Sequence, residues 1–193
     1  MPLKTAFAAL GALILALPQA QAKSSIAFYP VQGRTAPEIY ASIKTSSPKI
    51  AANTTMAFTA IATKTDKTEQ QKGGQCRYTS FKTRAAYVFY IPKHNNTQSL
   101  PKPLRSKWLQ FAEYLLRHEE GHRTIWQLCF ADYDARAQEL SRSSCEALDT
   151  AREKLFTSIK RSCVAKDEAY DVVFRKEVQQ VPFMKEALKK LTK

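Results

Sequence analysis

Two histidines four residues apart, with a glutamate directly after the first, form the stretch of the sequence that can do chemistry. It reads His118-Glu119-Glu120-Gly121-His122. In a helix this spacing places both imidazoles on one face, one turn apart, where both can bind Zn²⁺. Glu119 lies in the adjacent sector of the helix, where its carboxylate can take a proton from a zinc-bound water and pass it to a leaving amine. The sequence therefore predicts a zinc site formed by His118 and His122, with Glu119 as the general base and acid.

The alternative is a pair of core histidines whose rings are satisfied by hydrogen bonds within the fold. Apolar or inward-facing positions continue through the motif in steps of three and four residues, so both histidines fall on the buried face of one helix. A buried imidazole needs a partner, and one metal ion serves both rings, which favours metal binding. The positions of this face are Leu104, Trp108, Phe111, Leu115, His118, His122, Ile125 and Cys129.

The motif does not supply a third protein ligand. No histidine follows His122, and the other histidine of the chain, His94, precedes the predicted helix. A carboxylate could complete the site, although a solvated surface group is the favoured interpretation of any one acidic residue. The candidates are Asp132 and Glu139 farther along the helix, and Asp171 and Glu177 after the second predicted helix, where an antiparallel return could bring them back.

The elements that must position the motif divide the chain into a strand-rich part, residues 23–92, and a helical part, residues 103–193. Strands are predicted at 26–31, 56–63 and 76–91, with a long polar hairpin loop at 64–74. A short helix is predicted to start at the capping box Thr35-Ala36-Pro37-Glu38 and to end near Ser46.

The helical part is predicted as two long helices with a short connection, followed by a helical segment from residue 181. The first helix carries the motif and runs from 103 to about 140, and the second runs from about 145 to 169. The fold class that follows is α+β, a small antiparallel sheet packed on a long antiparallel helical hairpin. At 193 residues with 44% hydrophobic residues, one folded domain spanning residues 23–193 is expected and a disordered chain is excluded.

The amino terminus has the parts of a secretory signal peptide. A basic start at residues 1–4 precedes an apolar run at 6–17, and the small residues at 20–22 predict cleavage before Lys23. The apolar run is shorter than the ~20 residues that span a bilayer. Residues 1–22 are therefore predicted to be removed near Ala22, which leaves an exported protein in the periplasm or outside the cell.

Export to an oxidising compartment makes the four cysteines candidates for two disulfides. Four cysteines allow three pairings. In an antiparallel helical hairpin Cys129 and Cys163 lie level with each other, whereas Cys145 lies at the turn, too far from either for a bridge. This geometry favours Cys129 with Cys163, and leaves Cys76 with Cys145.

The sequence contains 30 Lys and Arg residues and 17 Asp and Glu residues, which gives a net charge of +13. The excess is compatible with an anionic envelope surface as partner. The charges are scattered, however, with no run of five or six like charges and no alternation of basic and aromatic residues of the kind found in single-strand binders. No nucleic-acid partner is therefore predicted.

One ordered set of short motifs extends along most of the mature chain. It consists of Phe28-Tyr29-Pro30-Val31, Gly33-Arg34-Thr35, Cys76-Arg77, Ile91-Pro92, Trp108, the motif at 118–122, Cys145 and Tyr170-Asp171. Taken together, these residues resemble the domain of unknown function 922 family, which is described as predicted secreted zinc-dependent proteases.

The resemblance implies an exported zincin with an α+β core and a metal site on a helix. In that family the late Tyr-Asp is usually followed by a Thr and then a His-Gly, the position occupied here by Lys176-Glu177. Lysine does not readily replace a neutral imidazole, so the resemblance implies the roles of His118, Glu119 and His122 but no third ligand.

Two functions follow as hypotheses. The first is an exported zinc metallopeptidase that hydrolyses peptide bonds of a peptide or protein substrate through a zinc-activated water. The second is a catalytically silent envelope protein that keeps the zincin scaffold and binds a protein or an anionic polymer.

Overall fold

A four-stranded sheet and four α-helices form the described part of the chain, residues 23–48 and 55–189 of a computed structural model. The predicted signal peptide lies outside these residues. The strand order is β1-β3-β2, and β4 pairs with the first residues of β3. The strands are β1 (Lys23–Val31), β2 (Phe58–Lys72), β3 (Gln75–His94) and β4 (Ser141–Arg142).

The sheet is mixed, which corrects the expectation of an antiparallel sheet. β2 and β4 run antiparallel to β3, but β1 runs parallel to it, with Lys23 opposite Ala86 and Val31 opposite His94. A parallel pair cannot be joined by a tight turn and needs a crossover connection. Here the chain leaves β1 through a helix and passes through β2 before it reaches β3.

The β2–β3 hairpin is longer than predicted, and the expected loop at 64–74 is wrong. β2 continues to Lys72, and the turn consists of Gly73 and Gly74, whose φ angles are +60° and +73°. A two-residue turn with positive φ at both positions matches the twist of the flanking strands. The polar residues after Thr63 fit a strand because β2 is an edge strand and much of it faces solvent.

The helices are α1 (Ala36–Ser46), α2 (Lys102–Gln138), α3 (Cys145–Glu177) and α4 (Pro182–Leu188). The capping box at Thr35 and Glu38 is confirmed, and so is the long α2. The predicted end of the second helix near 169 is wrong, because no proline or glycine interrupts the chain between Cys163 and Pro182 and α3 continues to Glu177. Asp171 therefore lies on α3 rather than after it. None of the described helices is long and apolar enough to cross a membrane.

The α+β fold is held by apolar clusters at the two ends of α2. One cluster joins Trp108 and Phe111 of α2 to α1, α4 and the end of β1. The other surrounds the disulfides Cys76–Cys145 and Cys129–Cys163, which confirms the favoured pairing. Two disulfides are compatible with an exported protein. The motif lies on α2 between these clusters.

Candidate metal centre

Three potential ligand atoms converge where α3 crosses the motif on α2. The Nε2 atoms of His118 and His122 lie 3.0 Å apart, and Asp171 Oδ1 lies 3.0 Å from the first and 3.2 Å from the second. Ligands about 2.05 Å from a tetrahedral ion lie about 3.3 Å from one another. The observed spacing therefore fits a single ion with three protein ligands and a free fourth position.

Asp167 holds the second ring nitrogen of His122. The His122 Nδ1 to Asp167 Oδ1 distance is 2.7 Å, so this carboxylate fixes which nitrogen faces Asp171. Burial by itself lowers the pKa of His122, but hydrogen bonds to Asp167 and Asp171 outweigh it and raise this pKa to about 10. Burial likewise favours the neutral form of Asp171, yet the two imidazoles hold its pKa far below the usual range. These pKa shifts favour a protonated His122 beside an ionised Asp171.

Glu119 is buried between α2 and the sheet, with 2% of its surface exposed. The hydroxyl of Thr59 on β2 lies 2.7 Å from Glu119 Oε2 and 3.2 Å from the Glu119 carbonyl oxygen. Burial raises the pKa of Glu119, while the Thr59 hydroxyl and the nearby imidazoles act in the opposite direction. The carboxylate is thus held at a fixed position beside the histidines, with an increased affinity for a proton.

Aromatic rings of α3 cover His118. The ring of Phe174 stacks on the imidazole at 3.7 Å between centroids, and that of Tyr170 at 4.8 Å. Tyr170 reaches this position because Gly121 has no side chain: a Cβ there would lie 2.2 Å from the Tyr170 hydroxyl oxygen. Burial, with a contribution from the negative charge of Glu119, raises the pKa of Tyr170.

The structure separates the four carboxylate candidates. Within its described residues, the one group of three possible metal ligands is His118, His122 and Asp171. The other acidic candidates lie elsewhere: Asp132 pairs with Arg136 at 3.5 Å, Glu139 ends α2, and Glu177 accepts a hydrogen bond from Tyr114 at 3.4 Å.

His94 is outside the centre. Its Nε2 lies 2.8 Å from the Gly33 carbonyl oxygen, and its Nδ1 accepts a hydrogen bond from the Asn96 amide at 3.2 Å. Both ring nitrogens are therefore satisfied by the backbone.

Sequence reasoning missed two positioning side chains. Thr59 is 60 residues from Glu119 in the sequence, and no spacing rule connects them. Asp167 precedes Asp171 by one helical turn, and only the predicted end of the second helix near 169 concealed that both lie on one helical face.

Comparison with known families gives one match. The model of the family described as "Bacterial protein of unknown function (DUF922)" matches residues 26–176. That range includes the motif on α2 as well as Asp167 and Asp171. No curated protein and no solved structure matches the chain. Because the family model covers most of the sequence, the chain belongs to the DUF922 family.

Proposed function

We propose that the protein is an exported zinc-dependent metallopeptidase of the zincin kind. The observation that carries the proposal is the convergence of His118, His122 and Asp171 at distances suited to one tetrahedral ion. A set of two histidines and one carboxylate, with an open fourth position, is typical of catalytic zinc sites. Zinc bound there would lower the pKa of its water towards 7 and polarise the scissile carbonyl.

The protein's own residues would supply the proton transfers. Glu119 would accept a proton from the attacking water and deliver it to the leaving nitrogen. Its burial favours this role, because a carboxylate in an apolar environment binds a proton more readily than one in water. Thr59 would keep Oε2 oriented during both transfers, and Asp167 would keep His122 in the tautomer whose Nε2 lone pair faces the ion.

Two further features support export. Both disulfides join parts of the chain that are distant in sequence, by 69 and 34 residues, and such bonds persist in oxidising compartments. The composition of residues 1–22 matches a cleaved signal peptide. The periplasm or the outside of a bacterial cell is therefore the proposed location, with peptides or proteins as substrates.

The test begins with zinc content. Oxidised protein comprising residues 23–193 should retain one zinc ion after dialysis, and His118→Ala and Asp171→Asn should each lose it. Glu177→Gln is the matched control, because Glu177 is a carboxylate of the same helix that contacts Tyr114 instead of the centre. A folded parent protein without affinity for zinc would reject the metal centre.

Catalysis is tested with Glu119→Gln, which preserves the size of the side chain and its ability to accept a hydrogen bond from Thr59. This variant should bind zinc like the parent and lose peptide hydrolysis by about 10²-fold or more. Equal hydrolysis by the two proteins would reject Glu119 as the base.

The second candidate function is a catalytically silent envelope protein that binds a protein or an anionic polymer. The chain has 30 basic and 17 acidic residues, and this excess of positive charge favours an anionic partner. This candidate would replace the first if the zinc-loaded parent hydrolysed no peptide and yet bound an anionic polymer such as heparin in a salt-dependent way.

A further inference from the structure

The ring of Tyr170 packs against both histidines of the candidate metal centre. Tyr170 precedes the ligand Asp171, and its ring meets both histidines, stacked on His118 at 4.8 Å and edge-on to His122 at 5.3 Å. The missing side chain of Gly121 lets the hydroxyl approach the backbone of α2 inside the motif. The ring is therefore fixed from two sides, and the direction of its hydroxyl is fixed with it.

This hydroxyl makes no hydrogen bond to another residue in the described part of the chain, whereas the hydroxyl of neighbouring Tyr114 contacts Glu177. A phenol hydroxyl near an ion site with a free fourth position can donate to a group bound at that position. Glu119 directly follows His118, on which the Tyr170 ring stacks, so the proposed general base and the phenol lie beside the same histidine.

We propose that Tyr170 is a catalytic residue that donates a hydrogen bond to the substrate oxygen on which negative charge develops. The proposal rests on the metallopeptidase function. The water oxygen forms a bond to the carbonyl carbon, and the electron pair of the carbonyl double bond moves to its oxygen, where Tyr170 stabilises it. Glu119 takes the proton of the water and gives it to the nitrogen as the carbon–nitrogen bond breaks. Tyr170 keeps its own proton throughout. Removal of one such donor typically lowers kcat by about 10²- to 10³-fold.

The variant Tyr170→Phe removes the hydroxyl and preserves the ring that stacks on His118. Tyr114→Phe is the matched control, because it removes a hydroxyl from a ring that stacks on Phe174, the next aromatic residue of the same cluster. Zinc affinity and thermal unfolding of both variants should equal those of the parent, since neither hydroxyl is a ligand. If Tyr170→Phe changed zinc affinity or thermal unfolding more than Tyr114→Phe does, the Tyr170 hydroxyl would have a structural role and the proposal would be overturned.

Two readouts then separate this proposal from the proposed function. The first is binding of acetohydroxamate, an anionic oxygen ligand of zinc, to the zinc-loaded proteins. Its affinity should fall about tenfold in Tyr170→Phe, the loss of one hydrogen bond to a charged group, and stay unchanged in Tyr114→Phe. Unchanged affinity in Tyr170→Phe overturns the proposal, whether or not the parent hydrolyses peptides.

The second readout is hydrolysis of the fastest-cleaved peptide from a fluorogenic library. In Tyr170→Phe kcat should fall by about 10²-fold with KM within about twofold of the parent value, because the donor acts on charge that develops only during the reaction. Parent-like kcat overturns the catalytic role while the metallopeptidase function stands. If the parent cleaves no peptide, both the metallopeptidase function and the catalytic role of Tyr170 are rejected. A hydroxamate affinity that depends on Tyr170 would in that case still show that the hydroxyl donates a hydrogen bond to a zinc-bound anion.

Discussion

At the scale of single residues, the proposed metal centre depends on the absence of a side chain at Gly121. Gly121 is in the interior of α2, where glycine is less favourable than alanine by about 1 kcal/mol. The Tyr170 ring occupies the space that a Cβ would need, with the hydroxyl oxygen at 2.2 Å and Cζ at 2.4 Å. The helix therefore contains glycine, an unfavourable helix residue, at the point where the Tyr170 ring of α3 packs against its backbone.

Gly121→Ala should consequently destabilise the protein and weaken zinc binding, because the new methyl group displaces Tyr170 and with it Asp171. In a Tyr170→Ala background the same substitution should instead stabilise the fold by about 1 kcal/mol, the gain in helix propensity. Urea unfolding of the four proteins of this double-mutant cycle measures both effects. A stabilising Gly121→Ala in the presence of Tyr170 would show that the ring can move aside without loss.

The raised pKa of His122 predicts how zinc affinity varies with pH. In the metal-free fold this pKa is about 10, above its ordinary 6.5, so the bound proton stabilises that fold fully below pH 6.5 and the stabilisation disappears as pH rises through about 10. Zinc needs the neutral ring and must displace the proton.

Zinc affinity should therefore rise about tenfold per pH unit between pH 6.5 and 8, the slope for release of one proton. Competition with a chelator measures the affinity, and calorimetry in two buffers of different ionisation enthalpy counts the protons released. Asp167→Asn should flatten the slope, since it removes one of the two carboxylates that raise this pKa. A flat profile in the parent would contradict a protonated His122.

At the scale of elements, the two antiparallel helices α2 and α3 supply all three proposed ligand atoms, so their register determines the geometry of the proposed centre. Cys129 follows His122 by about two helical turns, and Cys163 precedes Asp171 by about two turns. Cys163 is also the last buried residue of α3. Beyond it, the segment of α3 that carries Asp171 contacts α2 through His118, His122 and Tyr114.

Loss of the Cys129–Cys163 disulfide should therefore weaken zinc binding more than loss of the Cys76–Cys145 disulfide. The latter joins the β2–β3 hairpin to the start of α3. We expect about tenfold weaker binding for the paired alanine variant at 129 and 163, and little change for the pair at 76 and 145. Each removal also costs about 2–5 kcal/mol of folding stability, so affinity must be compared on protein shown to be folded by circular dichroism. Equal losses in the two variants would show a general loss of stability rather than control of register.

The sequence predicted correctly those elements whose signals lie in nearby residues. The predictions were wrong where the structure depends on contacts with segments distant in sequence. The motif helix, the capping box at Thr35 and both disulfides follow from periodicity, spacing and helix rise. The parallel direction of β1 does not, because strand direction depends on which strand it meets and not on its own residues. The end of α3 was missed because no residue after Cys163 in this helix is fully buried, so the apolar pattern that marks a helix does not continue to Glu177. Asp171 was left undecided among four carboxylates because its approach to the histidines depends on how α3 packs on α2.

At the scale of the whole molecule, the apolar cluster around Trp108 and Phe111 includes residues of α4, which lies after the residues that the family model matches. Phe183 of α4 is fully buried there, stacked on Phe111 at 4.7 Å and edge-on to Trp108 at 5.4 Å. The family model ends at residue 176, before α4 begins. The apolar core of this chain therefore includes residues beyond the family match.

Phe183→Ala should destabilise the metal-free protein by about 3–5 kcal/mol, the usual range for removal of a buried phenylalanine. Lys185→Ala, on the exposed side of the same helix, is the control and should change stability by less than about 0.5 kcal/mol. Denaturant unfolding followed by tryptophan fluorescence measures both. Equal stability of the two variants would show that α4 is dispensable.

The packing of α1 against α4 has a consequence for the time at which the chain can fold. These helices lie near opposite ends of the described sequence, yet Ile39 and Ile43 share one apolar cluster with Phe183 and Met184. Contacts between segments so far apart form slowly, because a long loop must close before they can form. A chain that emerges from the ribosome amino end first cannot complete this cluster until α4 has emerged. Until then this cluster stays incomplete. If the chain is exported as proposed, the delay favours the unfolded state that can be threaded through a narrow secretion channel.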